Sequence, residues 1–246
     1  MLVEENKWEE GYKVHSFLTD RYCRLSIPAV SRLFQETAEA HTNVYNMGYH
    51  SMISNRKAWV LLRVYYQVYD YPKIYTNMTV RTWSRGYRGV TALRDFQMMD
   101  DTGRVVIAGS STWCIIDMDK RSPQRCDKIL ESFPQSNDAA TELDVLPKLK
   151  PESDDGYVLL KTIKVPFMAI DKAQHTNNAM YMSWIMDSLD KDDQARKLKT
   201  VDISYVHETE MDDNLQIFLC KPDRNTYKFK MINSLGLSML CNIELE

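Results

Sequence analysis

The sequence predicts an α+β protein built of two similar halves, each a long helix wrapped by a curved antiparallel sheet. Three observations predict it. Each half holds one helical stretch, preceded by a strand and followed by runs rich in valine, tyrosine and tryptophan. A stretch with three prolines and many small or acidic residues separates the halves. One helix and one curved sheet can bury each other's apolar surface, which neither does alone.

In the first half, "SRLFQETAEAHTNVY" reads as a helix because Val30, Leu33, Phe34, Thr37, Ala38 and His41 recur at three-and-four spacing. Ser26 is placed to cap it, and Pro28 is tolerable in the first turn, where no intrahelical N–H is lost. Strands are expected over 58–71, 77–86, 89–101 and 104–118, with "DDTG" as a hairpin turn between the last two. The stretch 132–156 reads as a linker, giving an N-terminal domain over 1–133, a linker over 134–155 and a C-terminal domain over 156–246. The second half repeats the order: a strand over 157–167, a helix over 177–190, and strands near 199–209, 214–221, 225–233 and 236–245. Met180, Tyr181, Met182, Trp184, Ile185, Met186 and Leu189 leave the second helix little polar face, as expected of a helix enclosed on most sides.

Composition narrows the function classes. The 246 residues carry a net charge of -3, which gives no basis for nucleic-acid binding. No apolar run approaches the ~20 residues needed to cross a bilayer, and the acidic N-terminus resembles no targeting peptide. The five cysteines (Cys23, Cys114, Cys126, Cys220, Cys241) are scattered and odd in number. They suggest reduced thiols in a cytoplasmic protein, with no disulfide frame and no metal site.

The chemistry concentrates at "AIDKAQHTNNAMYMSWIMD", residues 169–187. Asp171 and His175 lie about one turn apart just before the second helix, whose N-terminal N–H groups and partial positive charge favour a developing oxyanion. Acid, imidazole and amide together meet the needs of acyl hydrolysis. Capping is an equally good reading of Thr176, Asn177 and Asn178, and a single histidine is more often a hydrogen-bonded one than a catalyst. In the first half Asp20 and Arg24 occupy the places of Asp171 and His175. If the halves are duplicates, one is reactive and the other binds.

The segment "DKAQHTNNAMYMSWIMD" resembles the D-x-N-x-H-x-N-N-x-x-Y-x-x-W motif of the acyl-acyl carrier protein thioesterases of plants and bacteria. The resemblance extends over most of the chain, through "LFQETAEAH", "AWVLLRVYYQVYDYP", "VRTWSRG", "SSTWCIIDMDKRSP" and "ISYVHETEMDDNL". It implies two fused hotdog domains and hydrolysis of a fatty acyl-acyl carrier protein thioester in fatty-acid biosynthesis, with no cofactor. Asp171, His175 and Glu208 match the family's catalytic positions; Asn177 and Asn178 are candidates for substrate binding. Ala173 stands where the motif has asparagine, and a methyl group cannot replace its hydrogen bonds. Thr209 stands where many plant members have cysteine.

The first domain is expected to hold the acyl chain, with Trp59, Leu61, Val64, Met98 and Trp113 as candidate lining. The acidic carrier protein calls for a basic docking patch, for which "RKLK" (196–199), Arg85 and Arg88 are candidates. Three other readings stay open: an acyl-CoA thioesterase with the same site, a hotdog dehydratase, and a non-catalytic acyl-thioester-binding protein, motivated by Ala173. A homodimer is compatible with all of them.

Overall fold

Ser26 begins the first long helix as the sequence suggests: its side chain accepts from Ala29 N, with Pro28 in the first turn. That helix, α1 (Ile27–Val44), buries Val30, Phe34, Thr37, Ala38 and His41 of the face set by the three-and-four spacing, with Leu33 half-buried. The computed structural model describes residues 1–3, 6–150 and 156–246. Contacts divide the chain into two units, Met1–Leu146 and Pro147–Glu246.

The first unit contains β1 (Leu2–Val3), β2 (Lys7–Lys13), α1, α2 (Tyr49–Ser54), β3 (Lys57–Val68), β4 (Asn77–Arg88), β5 (Thr91–Met99), β6 (Val105–Asp117), β7 (Ser122–Gln124) and α3 (Asp127–Leu130). Its strands run in the order β1-β2-β4-β5-β6-β3, with β7 on β6, and every pair is antiparallel. Phe34 joins α1 to this sheet, stacking on Phe96 with centroids 4.7 Å apart and meeting Tyr66 edge-on at 5.4 Å. Gly109 on β6 makes room for them. A Cβ there would lie 2.9 Å from Phe34 and 3.0 Å from Tyr66, closer than packed atoms tolerate.

The second unit contains β8 (Val158–Lys164), α4 (Asn178–Met186), α5 (Lys191–Ala195), β9 (Leu198–Tyr205), β10 (Asn214–Cys220), β11 (Thr226–Asn233) and β12 (Gly236–Leu245). Its order is β8-β10-β11-β12-β9, again antiparallel. Leaving aside the short β1 and β7, the two orders correspond: β2-β4-β5-β6-β3 matches β8-β10-β11-β12-β9, with the leading strand at one end and the strand after the long helix at the other.

Two features differ from the sequence expectation. The second helix stops at Met186 and does not continue to Asp190. Asp190 instead caps α5, its side chain accepting from Asp193 N at 2.8 Å. Gln194 then reaches back to the carbonyls of Met186 and Leu189, both at 3.1 Å, and so satisfies the helix end from a distant residue. The second difference lies in the stretch read as a linker. Its residues 134–146 lie along the first unit as a strap: Ser136 N donates to Ser84 O, Ala140 N to the Asp95 carboxylate, Tyr65 Oη to Glu142, and the Thr141 and Ser110 hydroxyls pair. Residues 151–155 of that stretch lie outside the described residues.

Candidate active site

The opening motif folds as a tight turn that delivers the chain into α4. Asp171 N donates to His175 O at 2.9 Å and Gln174 N to Asp171 O at 3.0 Å. Gln174 takes a left-handed φ of 66° to close it. The Asp171 carboxylate accepts from Ala173 N at 2.8 Å and makes a long 3.5 Å contact with Asn177 Nδ2. Asn177 is the helix cap, its Oδ1 accepting from Ala179 N at 2.9 Å. Met180 N is taken by Asn177 O. The Asn178 N–H is then left at the positive end of α4 without an acceptor among the described residues.

His175 emerges from this turn half-buried, and its Nε2 lies 3.1 Å from Glu208 Oε2. Its Nδ1 is buried with no partner among the described residues. Glu208 sits in the connection from β9 to β10, so residues 33 apart in sequence converge on one imidazole. No hydrogen bond joins the Asp171 carboxylate to the His175 ring among the described residues. The structure therefore brings His175 and Glu208 together directly, and places Asp171 as the acceptor that shapes their turn. Asn178 is partly exposed, and its backbone carbonyl accepts from Tyr205 Oη at 3.2 Å. Among the described residues no three His, Cys, Asp or Glu side chains are grouped to hold a metal ion.

The first unit repeats the bonds that close this turn. Asp20 N donates to Arg24 O, Cys23 N to Asp20 O, and Tyr22 N to the Asp20 carboxylate. Cys23 has φ 59°, matching Gln174. Ser26 N donates to Leu18 O as Asn177 N does to Ala169 O. Arg24, in the place of His175, closes onto Asp20 through Nε at 2.9 Å and Nη2 at 2.8 Å. The connections after β3 and β9 correspond as well. Tyr69 N and Asp70 N both donate to Val106 O, and Val206 N and His207 N both donate to Ser238 O. That register places Tyr71 opposite Glu208. The Arg24 guanidinium lies over the Tyr71 ring at 5.5 Å where the other unit has its imidazole–carboxylate pair.

The first unit also holds a cavity with about 540 Å³ of empty space including its mouth, lined among others by Gln35, Ala38, Trp59, Trp113 and Phe133. Of the candidate acyl-chain lining residues, Trp59 and Trp113 line this cavity, whereas Leu61, Val64 and Met98 are buried in the core and do not. Arg94 also lines it, and sequence reasoning missed this cation. It is held by Thr82 Oγ1 at 3.1 Å and His41 Nδ1 at 3.2 Å. The expected docking cations are engaged by the protein's own groups. Arg196 binds Asp193 and Asn225, Lys197 pairs with Glu246, Lys199 with Glu244, and Arg85 and Arg88 with Asp144.

Fold and site together define an α+β protein carrying an imidazole–carboxylate pair at a helix N-terminus. The sequence matches the acyl-ACP thioesterase N-terminal domain over residues 5–133 and the acyl-ACP thioesterase C-terminal domain over residues 152–238. The chain belongs to the acyl-ACP thioesterase family. It is 25% identical over 236 residues to an oleoyl-acyl carrier protein thioesterase of Arabidopsis thaliana, a match covering 86% of this chain and 62% of that protein. The chain thus spans under two thirds of that relative's length. An acyl-ACP thioesterase of Bacteroides thetaiotaomicron shares the fold with a TM-score of 0.88 at 19% identity, over 99% of both chains. The 12:0-ACP thioesterase of Umbellularia californica does so with a TM-score of 0.86 at 17% identity, over 99% of this chain and 98% of that one.

Proposed function

We propose that this chain hydrolyses the thioester of a fatty acyl chain held on acyl carrier protein, releasing free fatty acid in fatty-acid biosynthesis. On this reading the two units are fused hotdog domains, the first receiving the acyl chain in its cavity and the second carrying the chemistry. Family membership supports the substrate class, and the 3.1 Å His175–Glu208 contact beside the start of α4 is the observation that carries the reaction. Five cysteines without a disulfide fit a reducing compartment, and we place the protein in the cytoplasm.

The residues divide the work as follows. Glu208 takes a proton from water as the oxygen attacks the thioester carbon. The Asn178 N–H and the positive end of α4 receive the negative charge that forms on the carbonyl oxygen. As the C–S bond breaks, the proton passes through His175 to the thiolate leaving group. Asp171 fixes the turn that holds the imidazole. The test is to incubate the protein with acyl thioesters on both acyl carrier protein and coenzyme A and to identify products by mass spectrometry. Free fatty acid from the carrier-protein substrate, at higher kcat/KM than from coenzyme A, is the expected result. Preference for coenzyme A would move the protein to the acyl-CoA thioesterases, and binding without release would make it a non-catalytic acyl binder.

A further inference from the structure

We propose that four buried side chains, Thr176, Tyr181, Thr209 and Ser238, are positioning residues that fix the Glu208 carboxylate over His175. This rests on the hydrolytic reading of that pair. Glu208 is half exposed and lies in a connection between strands, so its own side chain does little to hold it in place. What holds it is its backbone. Three consecutive carbonyls are each bonded: His207 O accepts from Ser238 Oγ at 2.9 Å, Glu208 O from Asn233 Nδ2 at 3.1 Å, and Thr209 O from both Thr176 N and Thr176 Oγ1 at 2.8 Å. Thr176 follows His175 directly. The last pair of bonds therefore ties the residue after the glutamate to the residue after the imidazole.

The hydroxyls behind these carbonyls form one closed set. Tyr181 Oη donates to Thr209 Oγ1 at 2.7 Å, and Thr209 Oγ1 lies 2.8 Å from Ser238 Oγ. Thr209 is 0%, Ser238 1% and Tyr181 3% exposed, so water cannot substitute for a lost partner without cost. Burial raises the Tyr181 phenol above its usual value, which keeps it a donor. Thr209 faces this set, so its hydroxyl serves as a bracket behind the site.

The first unit supplies an internal comparison. Its matching positions, by the hydrogen-bond register above, are Leu25, Val30, Pro72 and Val106. All four are apolar and buried. The unit without an imidazole–carboxylate pair lacks every hydroxyl of the bracket, whereas both units keep the acid-closed turn. The bracket follows the reactive pair, and the turn follows the fold.

The experiment compares Thr209→Val, Thr209→Ser, Tyr181→Phe and Glu208→Gln by steady-state kinetics on acyl-acyl carrier protein and by NMR of ¹⁵N-labelled histidine. We expect Thr209→Val and Tyr181→Phe to lower kcat at least ten-fold with KM nearly unchanged. They should also move the His175 imidazole resonances toward those of Glu208→Gln. Thr209→Ser should retain wild-type kcat and resonances. Wild-type kcat and resonances in folded Thr209→Val and Tyr181→Phe would overturn the proposal. The NMR arm reads the His175–Glu208 contact without turnover. An inactive wild type therefore defeats the hydrolytic reading separately, and unchanged resonances defeat the bracket. Should Thr209→Val not fold, Tyr181→Phe against Thr209→Ser decides it.

Discussion

At residue 173 the family motif calls for an amide and the chain supplies a methyl group, yet the turn closes through backbone. Ala173 N bonds the Asp171 carboxylate at 2.8 Å, and the exposed side chain bears no part of it. Ala173→Asn should therefore change unfolding free energy by less than about 0.5 kcal/mol in a urea titration. A larger loss would mean that the methyl group packs. Two buried titratable groups in the first unit give a pH signature. Burial, then Arg94, lowers His41 from 6.5 to about 3, so its contribution to stability is full above pH 6.5 and is lost as pH falls toward 3. Burial raises Asp95 from 3.8 to about 6, partly offset by bonds from Ala140 and Ser110. Its cost is absent below pH 3.8 and complete above pH 6. Between pH 4 and 6 the two slopes, each about 1.4 kcal/mol per pH unit, oppose one another. Relative to wild type, His41→Asn should gain stability and Asp95→Asn should lose it as pH falls from about 6 to 4. Urea titrations at pH 4, 5 and 6 check this, and parallel slopes in both variants would contradict it.

Among the elements, the turn before each long helix makes the clearest demand on sequence. Gln174 at φ 66° occupies a backbone region that costs an L-residue about 1–2 kcal/mol. Gln174→Gly should thus hold or raise the melting temperature, and Gln174→Val should lower it; calorimetry reads both. The element pattern itself was largely legible in the sequence, because strands such as β3 and β6 and the face of α1 follow apolar spacing. Two boundaries were not. The end of α4 is set by Gln194, eight residues beyond Met186, and no local signal at Met186 announces it. The 134–146 strap is polar and proline-marked like a free linker, and it is ordered through hydrogen bonds to β4, β5 and β6 that composition does not encode. The candidate site is legible in the same uneven way. Asp171 and His175 share a short motif, Glu208 and Thr209 stand out only through the family resemblance, and the hydroxyl of Ser238 carries no pattern at all.

Over the whole molecule, one plan is used twice, and among the described residues only the second copy sets an imidazole against a carboxylate beside this turn. The first copy keeps the turn, the strand order and the long helix, but pairs Arg24 with Asp20 and sets Tyr71 opposite Glu208. Replacing Arg24 by histidine in a His175→Ala background should not restore turnover, since neither the carboxylate nor its bracket is present there. Recovery of activity in that double variant would show that the copies are chemically equivalent. If the His175–Glu208 pair hydrolyses an acyl thioester, release of fatty acid depends on both side chains. Fatty acid released from acyl-acyl carrier protein is followed over time for wild type, His175→Ala and Glu208→Gln, each verified as folded. Steady release by wild type and a loss of about 10²–10⁴-fold in both variants is the predicted result. Release by either variant at the wild-type rate would rule out this pair as the catalytic one.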